Sequence, residues 1–106
     1  MAQFDVHRNT GKNRDVIPFV VVVQSSLFDD YRRRVVVPLV RKSALGRINH
    51  ATFNPTFRIA GTQVVLHPLE IVSVAVDTLG EQVDSLTLEG SRITDALDQL
   101  LSRSWG

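Results

Sequence analysis

Residues 19–39 read FVVVVQSSLFDDYRRRVVVPL. Two β-branched runs, Val20–Val23 and Val35–Val37, flank a polar segment that holds Ser25, Ser26, Asp29, Asp30 and Arg32–Arg34. β-Branched side chains lose χ1 freedom in a helix but pack well on a pleated surface, so both runs predict strands. Neither run alternates cleanly between apolar and polar residues, which predicts strands covered on both faces. The connector is too long for a two-residue hairpin, and it places Leu27 and Phe28 inside an otherwise hydrophilic loop. Two large apolar residues there either fold back to plug a core or form a contact surface.

Working outward, Gln3–His7 alternates and predicts a first strand. Residues 9–15 (NTGKNRD) form a turn by composition, with Lys12 and Arg14 solvated. Strands are expected at about Phe19–Gln24 and Arg34–Val40. Pro38 lacks a backbone donor, so it predicts an edge strand or a bulge. Arg41–Asn54 has weak periodicity and predicts a short helical turn and a loop. Thr56–Ala60 and Gln63–Leu66 predict a hairpin around Gly61, which supplies positive φ. Glu70–Asp77 reads as another strand, and Gly80-Glu81-Gln82 as a turn opening into a helical loop. From Leu88 the period lengthens. Ile93, Ala96, Leu97, Leu100 and Leu101 make one stripe of an amphipathic helix, with Thr94, Asp95, Asp98, Gln99 and Ser102 opposite. Arg103 suits the negative pole of that helix. The economical architecture is a mainly β (α+β) fold: a small antiparallel sheet or barrel with one C-terminal α-helix.

The chain has 106 residues and is expected to form a single domain over 1–106. Its 43% hydrophobic content excludes wholesale disorder. The net charge of +1 hides an asymmetry. Residues 1–50 hold nine Lys or Arg against four Asp, whereas residues 51–106 hold three Arg against seven acids. This is either two solvated faces or a basic patch suited to an acidic partner. A sequence pI near 8.3 argues against a nucleic-acid-binding domain. There is no cysteine, so disulfides, thiol nucleophiles and zinc fingers are excluded, and a reducing cytoplasm is the expected location. No signal peptide and no membrane-spanning segment are expected.

Several of these segments, in this order and spacing, resemble the CcdB family of toxin–antitoxin toxins. The resemblance rests on Gln3-Phe4, on the Phe19–Leu39 stretch, and on Pro55 ahead of a strand that ends at Ile59. It extends through IVSVAVDTLGEQVDSL (71–86) to the terminal Trp105-Gly106. It implies a homodimeric, cytoplasmic toxin that binds the A subunit of DNA gyrase and traps the cleaved gyrase–DNA complex. A small antitoxin with a disordered acidic tail would silence it. By the same resemblance, Leu27, Phe28, Trp105 and Gly106 would meet gyrase, with Trp105 stacking on an arginine. The antitoxin would lie near Arg8, Lys12 and Arg14. The family's terminal isoleucine is absent here, and an ungapped match leaves Trp105-Gly106 several residues beyond the family position. From the residues alone, Trp105 either caps the helix end against the sheet or serves as a rigid interface anchor.

No catalytic motif appears: there is no G-x-S-x-G, no P-loop and no dinucleotide glycine pattern. His7, His50 and His67 lack metal-ligand spacing. No catalytic residue, metal or cofactor is therefore expected, and the reading at this level is a binding protein rather than an enzyme. Direct sequence-specific nucleic-acid binding is not expected either. Two alternatives stay open. One is a MazF-like endoribonuclease on the same small fold, for which Arg32–Arg34 and His50 are the candidate groups. The other is a degenerate member that only binds antitoxin.

Overall fold

The computed structural model describes residues 2–48 and 50–102. Strands β1 (Asp5–Arg8), β2 (Phe19–Val22) and β3 (Arg33–Arg41) lead into a single helical turn, α1 (Lys42–Leu45). The hairpin β4 (Thr56–Ile59) and β5 (Thr62–Leu66) follows, then β6 (Val72–Ala75), β7 (Gln82–Ser85) and the helix α2 (Gly90–Leu101). All pairings are antiparallel, in the order β4-β5-β3-β2-β1-β7. Strand β6 adds to β3 beside β5. The sheet curls into a half-barrel with α2 packed on its concave side.

One face makes the main core. Val6, Phe19, Val21, Val37, Leu39, Phe57, Ile59, Val64 and Leu66 meet Ile93 and Ala96 of α2 there. The cross-strand register explains the match, because Val6 opposes Val21, Val21 opposes Val37, and Leu39 opposes Leu66. Arg92 clamps the helix to β4: its guanidinium lies 4.5 Å from the Phe57 ring centroid and donates to Thr56 O at 2.9 Å.

The second face is buried too, as the unbroken valine runs imply. Val22, Val36, Val40 and Val65 are all nearly inaccessible. Loops cover them: Leu45 and Ile48 share a small cavity with Val65, and Leu79 shares another with Val36 and Val74. Gly80 is wedged so close to β1 that a Cβ would lie 2.7 Å from Arg8 O. Its carbonyl accepts from His7 Nδ1 at 2.9 Å in the tautomer that protonates that nitrogen.

Pro38 departs from expectation. It sits in the middle of β3, paired to Val20 of β2, and neither at an edge nor in a bulge. On its other side β3 changes partner, from β6 (ending at the Val36–Val72 pair) to β5 (beginning at Leu39–Leu66). Pro38 O accepts from His67 N at 3.1 Å on that side. A residue's N and O point to the same side of a strand, so the missing donor falls in the gap between β6 and β5. No ladder bond is lost there.

Other elements also shifted. Gln82–Ser85 form the edge strand β7 on β1, where Gly80-Glu81-Gln82 predicts a turn opening into a helical loop. The strand at 70–77 is shorter, ending in a 3-10 turn at Val76–Thr78. The β4–β5 hairpin turns on Ala60 (φ 49°) and Gly61 (φ 79°), both left-handed as a type I′ turn requires. In α2, Ile93 and Ala96 are buried, but Leu101 is 78% exposed and leaves the predicted stripe. Arg103 lies outside the described residues.

Candidate functional site

The loop between β2 and β3 does not fold back. Leu27 is 83% exposed, Phe28 50% and Tyr31 64%. Such exposure on a long loop would ordinarily accompany looseness, yet two side chains from the strand ends hold this one. Gln24 Nε2 donates to Phe28 O (3.1 Å) and Arg33 O (3.2 Å), and its Oε1 accepts from Val35 N (3.0 Å). Arg34, only 5% exposed, fills the inside of the loop. Its Nη1 donates to Tyr31 O (2.6 Å) and Arg33 O (2.9 Å), and its Nη2 to Asp29 O (2.9 Å). The Asp29 carboxylate lies 3.8 Å from Arg34 Nε. One guanidinium thus gathers three carbonyls that would otherwise face each other, the planar fork geometry to which arginine is suited.

Ser25 begins a 3-10 turn, Ser26–Phe28, by accepting from Leu27 N at 3.3 Å. Arg33 ties the loop's exit to β6 through Ser73 Oγ (2.8 Å) and Ser73 O (2.7 Å). Phe28 and Tyr31 face one another with ring centroids 6.2 Å apart. With Gln24, Arg32, Arg33 and Val35 they line an open hollow of about 470 Å3. The result is an apolar, aromatic surface rimmed by guanidinium groups on a braced frame. That combination is suited to protein recognition, because little side-chain or loop entropy remains to be lost on docking.

The remaining sequence candidates fall elsewhere. Arg8 lies on β1, where its guanidinium meets Glu81 Oε1 at 3.3 Å and covers the Phe19 ring at 5.9 Å. Its charge is therefore partly satisfied within the chain. Lys12 and Arg14 are exposed in the following turn, and neither forms an ion pair among the described residues. Trp105 and Gly106 lie outside the described residues. Arg32–Arg34 and His50 are not brought together: the arginines stand at the start of β3, whereas His50 lines a cavity with Arg47 and His67, beside the helical turn that follows the end of β3. Among the described residues no three His, Asp or Glu side chains cluster at metal-binding range, and no helix is long and apolar enough to cross a membrane.

Sequence reasoning missed Gln24, Arg34 and Tyr31. The run Arg32–Arg34 reads as three solvated cations, and residue type cannot separate them. A period of two counted back from Val36 would have placed Arg34 inward, because it shares a face with Val36.

The family model described as "CcdB protein" matches residues 3–102. The chain belongs to the CcdB family. Among solved structures, an endoribonuclease from a mycobacterial species superposes with a TM-score of 0.71. That alignment covers 100% of this chain and 95% of the other at 17% identity. No curated protein sequence matches significantly. The endoribonuclease corrects the expectation of a non-enzyme. The same fold carries catalysis in that protein, so the lack of a catalytic motif here does not exclude it. In a small half-barrel, reacting groups can come from separate strands and loops, and no contiguous motif need announce them.

Arg34→Met should remove the brace and leave the carbonyls of Asp29 and Tyr31 without their donor, while Arg33 O keeps Gln24 Nε2. The expected cost is about 1–3 kcal/mol of unfolding free energy in urea titration. Amide exchange over residues 25–33 should quicken markedly. Unchanged exchange would show that Gln24 alone holds the loop.

Proposed function

We propose that this protein is the toxin of a toxin–antitoxin pair and that it binds the A subunit of DNA gyrase. The observation that carries the reading is the braced exposure of Leu27, Phe28 and Tyr31. Family membership supports it, since the resemblance assigns gyrase contact to the apolar pair in this loop. Trp105-Gly106 would add a second anchor by the same resemblance. Purified protein incubated with gyrase, ATP and supercoiled plasmid should yield linear DNA after denaturation of the complex. Phe28→Ala and Leu27→Ala should each weaken this with little change in melting temperature, because both side chains are exposed. Trp105→Ala should give the largest loss, about 2–4 kcal/mol or on the order of a hundredfold in affinity, as expected for an aromatic anchor. Full cleavage by all three variants would place the contact elsewhere.

In this reading the neutralising partner is a small protein with a disordered acidic tail that folds on contact. Lys12 and Arg14 are the cations left for it in the N-terminal turn, since Arg8 is occupied by Glu81. Replacing both by Glu should slow antitoxin association at low salt while leaving thermal stability nearly unchanged. An unaltered on-rate would show the turn to be merely solvated.

A homodimer would cover part of the remaining apolar surface. Leu69, Ile71 and Val72 are 69%, 39% and 47% exposed, on and beside the outer edge of β6. Light scattering at micromolar concentration should give twice the chain mass, and a monomer would count against the pairing. A second reading, RNA cleavage, is favoured by one observation: His50, His67 and Arg47 line one cavity of about 180 Å3. RNA degraded without gyrase in the same preparation would support it.

A further inference from the structure

The end of β3 opposite the recognition loop carries a different surface. Arg41, Lys42 and Arg58 converge there on a concave site of about 460 Å3, completed by Ser43, Thr62 and Gln63. Arg41 is steadied by Nε donating to Asp15 O at 3.1 Å. Past α1 in the chain, Arg47, His50 and His67 line a second cavity of about 180 Å3. Among the described residues no Asp or Glu lines either cavity, and none of these four cations forms an ion pair. His67 Nδ1 is buried without a hydrogen-bond partner.

Three unpaired cations, two hydroxyls and an amide in a hollow of ligand size, with a fourth cation, Arg47, in the second cavity, make a site for oxyanions. An acidic peptide would also satisfy the charge, but it needs apolar anchors to offset the entropy of ordering it. The larger cavity offers none among its described residues. No Phe, Tyr or Trp lines either cavity, so stacking on large aromatic rings does not select among bases. We infer that this face binds the phosphodiester backbone of a single nucleic-acid strand without sequence preference, with phosphates at the two cavities. The low overall charge conceals it, because the acids of residues 51–106 offset these cations in the total but do not line the site.

The inference goes beyond the gyrase reading and does not depend on it, so its test contains neither gyrase nor antitoxin. Fluorescence anisotropy of a labelled twelve-residue oligodeoxythymidylate should rise on titration with the wild-type protein. This strand has no 2′-hydroxyl, so cleavage through that group cannot confuse the result. With three to four phosphates engaged, the logarithm of affinity should fall against the logarithm of salt with a slope of about −2 to −3. The double variant Lys42→Glu/Arg58→Glu should bind at least about tenfold more weakly at low salt and lose about 1.4 from the slope. Lys42→Arg/Arg58→Lys keeps the charges and should bind as the wild type does, which separates the site from a folding defect. Three outcomes overturn the inference. They are equal binding by the Glu double variant, equal binding by a polyglutamate of the same charge, and displacement of the oligonucleotide by inorganic phosphate at matched phosphate concentration.

Discussion

The constraint on which the rest of this structure depends is the divided partnership of strand β3. One side pairs with β2 over Phe19–Val22, while the other is shared by β6 near the start and β5 near the end. Nine residues of strand therefore collect three neighbours, while the α2-lined core covers one face and loops the other. This explains why VVVPLV carries no polar alternation, and why a proline can occupy its centre. Pro38 stands where neither β6 nor β5 reaches, so the residue that would break a continuous ladder marks the seam between two shorter ones. A non-proline residue there would gain a donor with no strand partner opposite it.

The two ends of β3 carry opposite kinds of surface for the same reason. A strand covered on both faces can expose function only where it emerges from the core. At its start, Arg34 turns inward beneath the loop and pushes Leu27, Phe28 and Tyr31 outward. At its finish, Arg41 and Lys42 pass into α1 and meet Arg58 from the neighbouring hairpin. At about 3.3 Å per residue the ends lie roughly 25 Å apart. Substitutions at one end should therefore leave the other energetically undisturbed.

Much of the fold was legible in the sequence because burial and period are local signals. The two valine runs, the Ala60-Gly61 turn and the Ile93–Ala96 stripe each carry their own evidence. Strand β7 did not, since Gln82–Ser85 has a single apolar residue, Val83, and is a strand only by pairing with the edge of β1. Leu101 falls in the stripe because eight residues after Ile93 is nearly in phase, but the helix ends there and the side chain is exposed. Of the site, Leu27 and Phe28 were legible as misplaced apolar residues. The brace was not, because a buried arginine is defined by three carbonyls that only the folded loop brings together. The cluster of Arg41, Lys42 and Arg58 was hidden for a similar reason: the hairpin closes a separation of sixteen residues that no spacing rule could read.

The brace also bears on how an exposed apolar loop can be held rigid. Arg34 is desolvated, and the Asp29 carboxylate beside it remains about one-third exposed, so the pair is neither fully buried nor freely hydrated. A fully buried pair would cost several kcal/mol in desolvation, and an exposed one would contribute little order. Carbonyl acceptors ease this, since they take the two terminal nitrogens of the guanidinium without requiring a second buried charge. The loop's conformation then depends on backbone geometry, while its outward side chains are free to vary. The surface at the tip can therefore change through Leu27, Phe28 and Tyr31 without touching the groups that keep the tip in place.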